Sequence, residues 1–163
     1  MEKETLISAM KTSISEVLEK MFFLPLDFSE TVNLGEICNS DKDKMMTGKL
    51  SFRGPFSGYL LFFIPGDLAL SLTAGFLGED EESVSRDHVT ETLKEILNMI
   101  AGSTFSAFDD QAVFDLGIPE LVRFDEVVRD HSNSGEEIFI AVNTLDNFLA
   151  LEMVTCSSDC VNR

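Results

Sequence analysis

The chain has 163 residues, with 12 Lys plus Arg against 29 Asp plus Glu, for a formal net charge of −17. That balance excludes a nucleic-acid-binding role, which needs Lys and Arg to neutralise phosphates, and it disfavours docking on anionic membranes. An apolar share of 44% argues for a packed core rather than a disordered polyanion, and the length suits a single domain over residues 1–163.

Residues 2–23 repeat apolar side chains at helical spacing (Leu6, Met10, Ile14, Val17, Leu18, Met21). This predicts an amphipathic helix that ends before Pro25. Residues 27–44 mix Asn, Ser, Asp and Gly and read as loop. Residues 47–53 and 57–64 are strand candidates, and Gly54-Pro55 turns them into an antiparallel hairpin. Pro65-Gly66-Asp67 then starts a helix with Asp67 as its cap, and Gly78 stops it. Residues 79–82 form an acidic surface turn. A second long helix is predicted over 86–108, with Ser85 as N-cap. Strands are expected at 112–116, 121–124, 137–142 and 148–155, the last two forming a hairpin. The order is roughly α-β-β-α-α-β-β-β. It predicts an α+β fold with a mostly antiparallel sheet and long helices packed on one face.

The usual catalytic constellations are thin. Cys38, Cys156 and Cys160 are the three cysteines, and the last two lack thioredoxin or zinc spacing. The opening Met1-Glu2-Lys3-Glu4 is not the basic start of a signal peptide, so a cytoplasmic location with reduced thiols is expected. His88 and His131 are the two histidines, and neither sits beside a nucleophile elbow. No glycine loop is built to cradle phosphate. The expectation is therefore no metal site and no cofactor held by this chain. The longest apolar run, from Tyr59 to Ile64, is far short of the ~20 residues that a membrane span needs.

The helix at 86–108 carries the informative pattern. At 100° per residue, Val89, Leu93, Ile96, Leu97, Ile100 and Ala107 share an arc of about 100°, which is the expected buried stripe. Glu91, Glu95, Asn98 and Gly102 fall within about 60° on the opposite side. A solvated face is the plain reading of those four. Two of them are poor choices for one. Asn competes for the backbone, and Gly in a helix interior costs about 1 kcal/mol relative to Ala. A partner docking along the helix would account for both, since Gly102 lets another surface come close.

At this point the chain resembles a known family. Glu95-Ile96-Leu97-Asn98-Met99-Ile100-Ala101-Gly102 is similar to the active helix of the CheC/CheX/FliY chemotaxis phosphatases. Glu91, Glu95, Asn98 and the later Pro119 fill the family pattern, with Glu91 standing where Asp or Ser is more usual. The likeness runs through Gly58-Tyr59-Leu60-Leu61-Phe62, Pro65 and Phe76-Leu77-Gly78, over about residues 2–155. Glu30–Asn33 and Glu36–Asn39 repeat the Glu-x-x-Asn spacing without the amphipathic helix or the trailing Gly. The first helix has Phe22 where a second motif would need Asn, and a single motif resembles the CheX branch.

The resemblance implies a cytoplasmic enzyme of two-component signalling. It would hydrolyse the aspartyl phosphate of a phosphorylated CheY-like response regulator. Glu95 and Asn98 would be the catalytic pair, Asn98 orienting the attacking water and Glu95 pairing with a Lys of the regulator. Glu91 and Gly102 would help bind the partner, Mg2+ would sit on the regulator, and the chain would form a homodimer. The alternative is a non-catalytic docking or dimerisation module that binds a response regulator or a flagellar switch component.

Overall fold

The computed structural model describes residues 2–29, 44–129, 135–145 and 147–156. Helix α1 (Lys3–Ile14) runs on into a wider π-helical section, Ser15–Met21, which keeps Val17 and Leu18 buried. Phe23 then adopts a left-handed φ of 54°, and the chain leaves the helix ahead of Pro25. Two further long helices follow, α2 (Gly66–Leu77) and α3 (Arg86–Phe108). A short α4 (Phe124–Arg129) comes later.

The strands are β1 (Asp27–Ser29), β2 (Met45–Arg53), β3 (Ser57–Pro65), β4 (Asp115–Leu116), β5 (Glu120–Val122), β6 (Glu137–Asn143) and β7 (Phe148–Cys156). They form one seven-stranded sheet in the order β1-β6-β7-β3-β2-β4, with β5 also paired to β2. Every pairing is antiparallel. The expected α+β class and both expected hairpins are present.

Alternation along the central strands explains the unbroken apolar run of β3. Leu60, Phe62 and Ile64 join the main core with α1, α2 and α3, while Leu61 and Phe63 point the other way. There they meet Ala150 of β7 and Phe124, which opens α4. Both faces of β3 are thus covered, so polar residues have no place in the run. β3 and β7 also approach closely at Gly58, where a Cβ would overlap the Val154 carbonyl.

Four local expectations change. Residues 27–29 form β1 because β6 supplies the pairing, Asp27 opposite Asn143 and Ser29 opposite Ala141; tertiary pairing overrides weak strand propensity. Only Asp115–Leu116 of the expected 112–116 strand is paired, and it pairs with β2. Phe124 begins α4 instead of ending a strand. Asp67 is not the cap: Pro65 holds the cap position, two residues earlier, with no side-chain cap bond, and Asp67 sits in the first turn, where a carboxylate suits the helix dipole. Gly78 does end α2, in the left-handed conformation with φ 66°. Cys38, Cys160, His131 and the two extra Glu-x-x-Asn pairs lie outside the described residues. Among the described residues, no helix is long and apolar enough to cross a membrane.

Helix α3 packs on α1, α2 and β2. A Cβ at Gly48 of β2 would lie 3.2 Å from Leu97 Cδ2. The glycine lets α3 settle against the sheet, with Leu97 inward and Asn98 outward.

Candidate functional site

Local sequence sets the start of α3. The Ser85 hydroxyl accepts from the His88 backbone N–H at 3.1 Å, and His88 Nδ1 accepts from the Ser85 N–H at 3.4 Å. This is a reciprocal capping box with His where Glu or Gln is usual. It employs one of the two histidines in structure. Val89, Leu93, Ile96, Leu97 and Ile100 are buried, as the periodicity predicts.

Ala107 is a correction to that stripe, because it is exposed. The buried arc rotates toward the C-terminal end and takes in Ala101, Thr104 and Phe105 instead. The cause is an aromatic cluster beside the last turns. The Phe105 ring lies 4.7 Å from Phe52 and stacks on Phe114 at 4.2 Å.

Glu91, Glu95 and Asn98 are exposed, and Gly102 is half-buried with nothing within 4 Å of where a Cβ would stand. Glu91 accepts from Lys94 Nζ at 3.3 Å with its side chain 74% exposed, a pair that stabilises little in water. Glu95 and Asn98 have no hydrogen-bond or ion-pair partner among the described residues. At i and i+3 on a helix their Cβ atoms are about 5–6 Å apart. A carboxylate and a carboxamide therefore stand side by side with all their bonding capacity turned outward. Pro119 lies in the link between β4 and β5, where the Gly117 N–H also donates to the Ser51 carbonyl at 2.7 Å. Phe22, at the place of a second motif's Asn, stacks on Phe76 with centroids 5.3 Å apart.

Two cavities matter for placing the site. One of about 630 Å3 lies between the start of α2 and the β6–β7 hairpin, lined by Gly66, Asp67, Asn143 and Phe148 among others, and α3 takes no part in it. Another of about 370 Å3 touches Gly102 and continues along α3. The second was missed by sequence reasoning, which read residues 112–116 as strand. No alternation of polar and apolar residues marked it: Val113 stands between Ala112 and Phe114, and Ile118 between Gly117 and Pro119, yet both are strongly exposed. Among the described residues, no three His, Cys, Asp or Glu side chains cluster to hold a metal ion.

No curated protein matches the sequence. Solved structures do match the fold. CheX in a CheX–CheY–BeF3–Mg2+ complex from Borrelia burgdorferi is 19% identical with a TM-score of 0.70, covering 93% of this chain and 98% of that one. A CheC-like superfamily protein from Shewanella sp. PV-4 is 19% identical with a TM-score of 0.70, covering 96% of this chain and 100% of that one. Thermotoga maritima FliY is 10% identical with a TM-score of 0.58, covering 98% of this chain and 92% of that one. At these identities the likeness is one of fold. The sequence model of the chemotaxis phosphatase CheX matches residues 46–143, from β2 to the end of β6, and the chain belongs to the CheX family of chemotaxis phosphatases.

Proposed function

We propose that this protein dephosphorylates the aspartyl phosphate of a CheY-like response regulator by docking the exposed face of α3 against the regulator's active site. Family membership supports a phosphatase, and a CheX structure of the same fold was determined in complex with CheY. The observation that carries the reading is the pairing of Glu95 and Asn98, adjacent on one exposed face and without partners among the described residues.

The chemistry is an in-line attack of water on an acyl phosphate. The water oxygen bonds to phosphorus, the phosphorus–carboxylate oxygen bond breaks, and the products are inorganic phosphate and a free Asp on the regulator. Such transfers depend on positioning and electrostatics more than on covalent help. The regulator brings the Asp, a Lys and the Mg2+ that neutralises the phosphoryl oxygens. Asn98 accepts a hydrogen bond from the attacking water through its carbonyl, and its NH2 donates to a phosphoryl oxygen. Being neutral, the carboxamide adds no repulsion at an anionic centre. Glu95 binds the regulator's Lys through a charge-assisted hydrogen bond and sets the register in which Asn98 reaches the phosphate. Glu91 and Gly102 extend the contact on either side, Gly102 by leaving space. The working species is a homodimer, which light scattering tests separately.

The deciding experiment follows phosphate release from phosphorylated CheY-like receiver domains encoded in the same genome. Wild type accelerates release from at least one receiver, and Asn98→Ala does not. If no receiver loses phosphate faster with wild type than alone, the proposed activity is wrong.

A further inference from the structure

The cavity beside Gly102 has a built floor. The Phe105 and Phe114 rings stack 4.2 Å apart at 17°, and Phe56 meets Phe114 edge-on at 5.3 Å. Gly54 backs this arrangement, since a Cβ there would come within 2.7 Å of the Phe114 ring. The chain after α3 is therefore pinned against the helix. It leaves a groove of about 370 Å3 with Gly102 and Ser106 on one wall and Val113 and Leu116 on the other.

The surface of this groove is apolar and acidic. Val113 is 76% exposed, so a branched aliphatic side chain meets water in the open cavity, and Ile118, two residues beyond the lining Leu116, is 90% exposed. Asp109 and Asp110 also line it, and among the described residues no Lys, Arg or His does. Gln111 holds both carboxylates in place, its backbone N–H donating to Asp109 Oδ1 at 3.0 Å and its Nε2 to Asp110 Oδ1 at 3.2 Å.

The groove also continues the stripe that holds Glu95 and Asn98. Gly102 and Ser106 follow Asn98 on the same side of α3, about 6 and 12 Å along the axis, and Asp109 follows at about 16 Å. A standard interface of about 800 Å2 per partner is a disc of roughly 16 Å radius. A regulator centred on Asn98 therefore covers the groove.

We infer that the groove is a second docking point for the phosphorylated regulator, taking an apolar side chain of the regulator between Gly102 and Val113 while a neighbouring Lys or Arg of the regulator faces Asp109 and Asp110. The inference rests on the proposed function and adds where partner selectivity lies. Chain and phosphorylated site are both acidic, so encounter needs a local attraction, and complementary charges at an interface rim govern on-rate and choice of partner.

The test is steady-state phosphate release with the responsive receiver, phosphorylated by acetyl phosphate in Mg2+ buffer, over a range of salt. Val113→Glu places a charge in the groove at an exposed position. The double variant Asp109→Asn/Asp110→Asn removes charge and keeps the acceptor oxygens that bond Gln111. Val113→Glu is expected to raise KM about tenfold with kcat within about twofold. The double variant is expected to raise KM about threefold and to flatten the salt dependence of kcat/KM. If both variants keep wild-type KM and salt dependence while Asn98→Ala is inactive, the groove inference is overturned and the proposed function stands. If wild type accelerates no receiver, both fall together. If Val113→Glu changes the oligomeric state in light scattering and leaves KM unchanged, the groove is a contact between two copies of this chain, which also overturns the inference.

Discussion

Replacing Asn98 by Ala separates chemistry from stability. Asn98 is exposed in the interior of α3 and has no partner among the described residues. Its truncation opens no cavity and orphans no buried donor. Ala is preferred over Asn inside a helix by up to about 0.7 kcal/mol. For a chain of roughly 150–250 residues, 1 kcal/mol moves Tm by about 2–4 °C. The variant should therefore melt at the wild-type temperature or up to about 3 °C higher. Activity should move the other way. Removing one preorganised hydrogen-bonding group from a reacting centre costs about 2.7–4 kcal/mol, or about 100- to 1,000-fold in rate. The assay pairs calorimetry with phosphate release from a saturating phosphorylated receiver. Two results would refute the reasoning: a stimulated rate above about a tenth of wild type, which removes the chemical role, or a fall in Tm of more than about 3 °C, which makes the side chain structural.

The neighbouring residue should behave in the opposite way. Leu97 is fully buried and faces Gly48 of β2, so Leu97→Ala should lower stability by about 2–5 kcal/mol, read from the urea midpoint. Gly58→Ala should abolish soluble folded protein, seen as loss of a cooperative melt, because its methyl group would occupy the position of the Val154 carbonyl and part β3 from β7. Ser85→Ala should cost about 1 kcal/mol and speed amide hydrogen exchange in the first turn of α3, with kcat unchanged; a slower kcat would mean that the cap helps hold the reacting face.

The residues of α3 show what the chain makes legible by itself. Helical periodicity is local, repeating every 3.6 residues, so Glu91, Glu95, Asn98 and Gly102 can be placed on one face from spacing alone; the first three are exposed and Gly102 is half-buried with open space where a Cβ would stand. The Ser85 cap and the two hairpins are equally local, set by groups a few residues apart. The poor fit of Asn and Gly to a helix interior marked the face as one that packing had not chosen. Ala107 shows where that reasoning stops. Its position on the wheel is right, but the core it should meet has ended, and Phe105 has turned the helix end toward Phe52 and Phe114.

Only the tertiary structure decided the rest. Residues 27–29 have little strand character and become β1 because β6 leaves an edge to pair. β4 and β5 are short pieces with β2 as their common partner. The groove at Gly102 depends on a helix, an aromatic floor and a returning segment that meet only after folding. Sequence by itself determined the face of the helix, because a helix is closed by bonds between near neighbours. The surface that surrounds that face is made of pairings between residues far apart in the chain, and no local propensity encodes them.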